Sequence, residues 1–181
     1  TTMKKYLFHT LFITLLFVSA HISFAQPPVT NTNWNKWKSL LGEWVGEGSG
    51  QPGQDGGTFS FAFDLEGKII VRKNHSEYPG GKQTPETIHD DLLIVYADST
   101  RILNKAIYFD NKGHIINYAI TFSEKDTAIT FTSDVAPQSP RFRLSYILLN
   151  SESVNIKFEF APPGKPNDFK TYLEGKAFKK K

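Results

Sequence analysis

Three histidines and a scatter of arginines, tyrosines and acids hold what chemistry this sequence offers. His75, His89 and His114, with Asp91 two residues beyond His89, make a His, His, carboxylate set of the type that binds zinc or another divalent cation. Counting back from the turns, His75 ends one strand and His89 opens the next, so the two are expected to be cross-strand neighbours, with His114 opening a later strand on the same rim. A slip of one residue in register would separate them. The plain alternative is three polar rim residues facing water. A second set, Arg72, Asn74, Tyr108, Asp110, Tyr118, Arg141 and Arg143, falls in the same rim-proximal parts of its strands. If Lys73 and Lys105 face solvent, alternation turns Arg72, Asn74, Tyr108 and Asp110 inward. Inward Arg and Tyr suit a carboxylate or other anionic head group, because a guanidinium fork pairs with such groups through two bonds. The alternative is that the arginines lie along the outside as solvated strand charges.

Other chemistries lack their residues. Cys is absent, which removes thiolate catalysis, disulfides and Cys metal sites. Asp90 and Asp91 are adjacent and point to opposite faces of a strand, so they cannot flank a glycosidic bond, and Glu43 with Glu47 makes no better pair. Gly46-x-Gly48-x-Gly50 is followed by no helical pattern, and without a helix N-terminus a phosphate loop loses its physics. These glycines instead permit bending or close packing of a strand. No Ser-centred nucleophile elbow occurs, and no catalytic residue is assigned. Asn74-His75-Ser76 matches a glycosylation sequon, relevant only in a eukaryotic secretory pathway.

The elements that must position these side chains are strands. Past Gly42 the sequence runs in stretches rich in β-branched and aromatic residues, 42–49, 57–65, 68–78, 88–97, 101–110, 114–123, 127–134, 141–149, 153–161 and 169–178, punctuated by Gly, Pro, Asn, Asp and Ser. Phe59, Phe61 and Phe63 alternate with polar or small residues, as do Phe142, Leu144, Tyr146 and Leu148 with Arg141, Arg143 and Ser145. Short connections such as Glu66-Gly67 and Asn111-Lys112-Gly113 read as hairpin turns. Ten strands joined in this way predict an all-β, antiparallel, up-and-down β-barrel over 42–181, since an open sheet of that size leaves two bare edges. Ahead of it, Trp34, Trp37, Leu40 and Leu41 predict a short helix over 33–41 laid across one end, with Trp44 buried beneath it. Up-and-down order gathers connections 50–56, 79–87, 111–113, 135–140 and 162–168 on one rim, which is the expected mouth.

Residues 1–25 read as a cleaved signal peptide: Lys4 and Lys5, an apolar stretch from Tyr6 to Phe24, then Ser23-Phe24-Ala25 before Gln26. The alternative is an uncleaved membrane anchor, interrupted by Thr10, Thr14, Ser19 and His21. Residues 26–41 then form an N-terminal segment and helix ahead of the barrel, and the expected location is periplasmic or extracellular, with no stable membrane insertion after cleavage. Loss of Lys4 and Lys5 reduces the 21 Lys and Arg to 19, against 18 Asp and Glu. That near-neutral balance excludes nucleic acid as a partner, since phosphates demand a clustered basic surface. The expected partner is a small molecule, and the sequence sets no oligomeric state.

The segment Leu40-Leu41-Gly42-Glu43-Trp44-Val45-Gly46-Glu47-Gly48-Ser49-Gly50 resembles the opening of nitrobindin-type barrels and, more loosely, the Gly-x-Trp start of lipocalins; the rest of the chain resembles secreted bacterial domains of unknown function related to them. The resemblance implies a calycin barrel, of the superfamily that includes lipocalins and fatty-acid-binding proteins, with a central cavity and with structural roles for Trp44, Gly46 and Gly48. For nitrobindins proper it implies a haem held by an axial His near the C-terminus. The last two strands, 153–161 and 169–178, contain no His, so that ligand transfers to no residue here. Three classes of function follow: an exported barrel binding an amphipathic or anionic small molecule, a haem- or metal-dependent enzyme using His75, His89 or His114, and an envelope structural or interaction protein whose barrel is filled.

Overall fold

A computed structural model describes residues 32–48, 57–78, 80, 85, 87–98 and 103–181. The expected signal peptide, residues 26–31, loop 50–56 and most of loop 79–87 lie outside the described residues. Ten strands follow a 3-10 helix, Thr32–Trp37: β1 Gly42–Gly46, β2 Thr58–Asp64, β3 Ile69–Tyr78, β4 Thr87–Tyr96, β5 Lys105–Asp110, β6 Ile115–Phe122, β7 Ala128–Ser133, β8 Arg141–Leu148, β9 Ser153–Ala161 and β10 Lys170–Lys179. Each pairs antiparallel with its neighbour in sequence, and β1 pairs with β10 to close the barrel, as the hairpin spacing predicts.

Alternation decides which side chains fill the interior. On β2, Phe59 and Phe61 are buried while Thr58 and Ala62 are exposed. On β8, Leu144 and Tyr146 join the core with Phe142 and Leu148 packed against it. A side-chain period of two then turns Arg141, Arg143 and Ser145 to the outer face. The β2–β3 turn is closed by Gly67 N–H to Asp64 C=O at 3.0 Å. Leu65, Glu66 and Gly67 all adopt positive φ there, and Gly67, at 78°, does so without steric cost.

The N-terminal helix is shorter and tighter than the sequence predicts, stopping at Trp37 where an α-helix through 41 was expected. Leu40 and Leu41 both donate their N–H to the Trp37 carbonyl, forming a turn that swings the chain into β1. The helix still closes the tight-turn end. Trp37 is fully buried, its ring 6.2 Å from Phe61, 5.7 Å from Phe122 and 5.9 Å from Phe131. Trp44 lies beneath it with Nε1 donating to the Leu40 carbonyl at 2.8 Å, so burial leaves no orphaned donor. Its ring stacks on Phe59 at 5.9 Å. Gly46 pairs with Ala177 of β10, and Gly48 follows the end of β1. This half of the barrel is packed solid with rings.

Candidate functional site

The interior changes character toward the long-loop rim. One wall, on β3 to β5, is polar. Arg72 donates from Nη1 to Asp91 Oδ1, and the two side chains are only 7% and 4% exposed. His89 Nε2 lies 3.0 Å from the Tyr108 hydroxyl and 3.3 Å from Asp91 Oδ2. Asp110 accepts backbone N–H bonds from Lys112 and His114 and meets His114 Nδ1 at 2.7 Å, while Asn74 donates to Ser76 Oγ at 3.1 Å. Register explains the grouping: Arg72 faces Leu93, Asn74 faces Asp91, and Asp91 in turn faces Asp110, so all point to one side of the sheet.

Electrostatics follow from this packing. Burial disfavours the Arg72 charge, but Tyr146 and Asp91 outweigh it and its pKa rises. Burial drives the Tyr108 and Tyr118 hydroxyls far above the phenol range, with Asp91 adding to both shifts, and pushes Tyr146 up to about 12. These tyrosines therefore stay protonated and act as donors, not as bases. For Asp110 burial pulls upward, yet the bonds from His114 and Lys112 win and hold it below its ordinary 3.8. Arg72 is flanked by the rings of Phe59 at 5.7 Å and Tyr146 at 5.9 Å. Among the described residues two donors here, Arg72 Nε and the Tyr146 hydroxyl, are buried with no hydrogen-bond partner.

Across the barrel, β8 to β10 present an aromatic wall. Phe142 stacks on Phe158 at 5.8 Å, and Tyr172 meets Phe158 and Phe160 edge-on at 6.1 and 6.3 Å. Tyr172 sits at a β-bulge between Thr171 and Leu173, the kind of irregularity that re-aims a side chain. It is 73% exposed. The other three rings are partly exposed although they point inward, which places them in an open mouth rather than a sealed core.

The residues singled out in the sequence divide between two faces. Arg72, Asn74, Tyr108, Asp110, Tyr118 and His89 line the inside, with Lys73 and Lys105 on the outside. Arg141 and Arg143 do not join them, which corrects the expectation of an inward arginine cluster. Arg143 forms a two-bond pair with Glu159 on the outer face, at 2.7 and 3.0 Å, and Arg141 holds the Ser133 and Pro166 carbonyls. The alternation of β8, with Phe142, Leu144 and Tyr146 inward, already carried that signal. The histidine trio is also split. His75 pairs with Asp90 and Ser76 with His89, one residue away from the expected register, so His75 faces out and His89 in. His75 binds Asp90 at 2.6 Å and Glu77 at 3.0 Å on the outer face. Among the described residues no three His, Cys, Asp or Glu side chains are grouped to hold a metal ion. The sequence reading did not assign Tyr146, Phe158, Tyr172 or the role of Asp91 as partner of Arg72; alternation pointed to the first two, and nothing in the sequence marks the bulge.

A closed barrel of ten antiparallel strands with a polar cluster inside one mouth fits a calycin-like architecture. The crystal structure of Rv2717c from M. tuberculosis is similar to it, with a TM-score of 0.54 over 83% of this chain and 98% of that one. At 11% identity the likeness is one of fold alone. No protein-family model and no curated protein matches the sequence.

Proposed function

We propose that the chain is an exported binding protein that takes an amphipathic small molecule into the long-loop mouth of its barrel. The carrying observation is the pair of unlike walls: partly exposed inward rings, Phe142, Phe158 and Phe160, stand opposite Asn74, His89 and Tyr108. The floor between them supplies two buried donors, Arg72 Nε and the Tyr146 hydroxyl. Donors left unpaired in a low-dielectric site favour a ligand atom that accepts, such as a carbonyl or carboxylate oxygen. Because Arg72 is already neutralised by Asp91, the ligand need not be an anion, and the acceptor is the defining feature. The ring-packed half below limits how deep the molecule reaches.

A haem of the nitrobindin kind does not fit these residues. β9 and β10 supply no His, and the two histidines that meet the polar residues of the mouth are engaged there, His89 by Tyr108 and Asp91 and His114 by Asp110. Calorimetric titration of the chain beginning at Gln26 with dodecanoate, used as a probe with an acceptor head and an apolar tail, tests the reading. Binding is expected, and Tyr146→Phe should weaken it about tenfold, the size of one hydrogen bond to a charged group. Arg143→Met, on the outer face, should leave it unchanged. Absence of binding, or equal weakening by Arg143→Met, would refute the proposal.

A further inference from the structure

The outside of the barrel is as asymmetric as its interior. Around β7 to β9 the outward positions are polar: Thr130 bonds Ser145, and Arg143 and Lys157 both pair with Glu159. On β4 and β5 the central outward positions are apolar, and Ile115 of β6 adjoins them. Register sets these residues in two adjacent rows, Leu92, Phe109 and Ile115 in one, Ile94 and Ile107 in the other, which ends on β6 at Asn117. None of them belongs to the core, which lies on the opposite face of the same strands. Beside them a concavity of about 680 Å³, lined mostly by polar residues, Lys73, His75, Asp90 and Lys180 among others, runs over the outer face of β1 to β5 and takes in Leu92 and Phe109 at its edge. Ile115, 64% exposed, stands beside Phe109. An apolar group on the outer face, partly exposed at Leu92, Ile94, Ile107 and Phe109 and exposed at Ile115, fits an association surface.

The charges around it identify the partner. One row beyond Leu92, toward the long-loop rim, β4 carries Asp90, which is half exposed. One row beyond Ile107, toward the other rim, β5 carries Lys105, paired in register with Tyr96. The acid and the base thus bracket the apolar rows from opposite ends. We propose that this face is the interface between two copies of the chain, related by a two-fold axis lying in the interface and running across the strands. Rotation about that axis reverses strand direction, so the apolar rows of one copy meet those of the other and each Asp90 is carried to the row of Tyr96 and Lys105 of the second copy, within reach of the Lys105 side chain on the adjacent strand. A two-fold interface requires this kind of self-complementarity. The inference is independent of what the mouth binds.

Sedimentation and light scattering on the chain beginning at Gln26, over a wide range of concentration, should give twice the monomer mass. Ile115→Lys changes an exposed residue and should yield folded monomer, with folding verified by circular dichroism. Asp90→Lys and Lys105→Asp should each shift the protein to monomer, and the two reversals together should restore the dimer. A monomer at every concentration overturns the proposal. So does a dimer indifferent to Ile115→Lys and to both charge reversals, or a protein that dimerises only when residues 26–31 are removed, which would show that this segment covers the face.

Discussion

Replacing Arg72 with Met should destabilise the barrel far more than the loss of one surface ion pair would. The guanidinium and the Asp91 carboxylate are almost entirely out of water, and removing the cation leaves the carboxylate with the His89 ring, 3.3 Å away, as a close partner. Stranding a buried charge in this way costs about 3–5 kcal/mol, against less than about 1 kcal/mol for an exposed pair. The second half of the test removes both charges. In Arg72→Met with Asp91→Leu, apolar side chains replace the pair beside Phe59 and Tyr146, and stability should return to within about 1 kcal/mol of the parent or exceed it. His89 keeps its contact with the Tyr108 hydroxyl in that variant. Urea unfolding at neutral pH measures both, and the slope of the transition should not change, since the surface exposed on unfolding stays the same. A single variant that loses under about 1 kcal/mol would mean that water reaches the pair. A double variant as unstable as Arg72→Met would mean that the guanidinium acts through packing, and the argument from buried charge would fail.

Trp44→Ala removes a fully buried ring stacked on Phe59 and should cost about 3–5 kcal/mol in the same assay; a loss below about 1 kcal/mol would contradict its burial. Glu159 has its pKa lowered from 4.5, chiefly by the Arg143 bonds. A depressed carboxylate contributes stability that is present above its unfolded value and is lost as pH falls through the folded one, so stability should drop below about pH 4.5, and Glu159→Gln should flatten that acid limb. Intact mass of the natively expressed protein should place its N-terminus at Gln26 or within a few residues, and a retained Met3 start would rule out cleavage.

The strands were legible because each is a short alternating run bounded by turn residues, and tight hairpins leave little choice of partner. Parity within a strand was equally legible: Lys73 and Lys105 outward fix Arg72 and Tyr108 inward. What alternation cannot supply is the register between strands joined by a long connection. His75 and His89 lie on either side of residues 79–87, and one residue of offset there decides whether the two rings share a face. Arg143 shows a different limit. Its neighbours Phe142 and Leu144 pointed inward in the sequence pattern, but its partner Glu159 lies on the next strand and emerges only once β8 and β9 are set in register. Tyr172 was beyond reach because a bulge breaks the period on which strand reading depends. The outer apolar face escaped notice because Leu92, Ile94, Ile107 and Phe109 look like core residues in a one-dimensional pattern.

Closure of the barrel through β1 and β10 has a kinetic consequence. Gly46 stands opposite Ala177 in register, and the Trp37 ring rests on Phe122 and Phe131, so the first strand and the helix before it depend on partners far away in the sequence. Forming such contacts carries a large loop-closure entropy before any burial is gained, which slows folding and makes it contingent on the last strand. The hairpins from β2 to β9 can assemble locally and early, but the ring-packed end stays open until β10 arrives. A nascent chain of this design therefore remains incompletely folded until its final residues are free, and holding it unfolded in the meantime requires little opposing work.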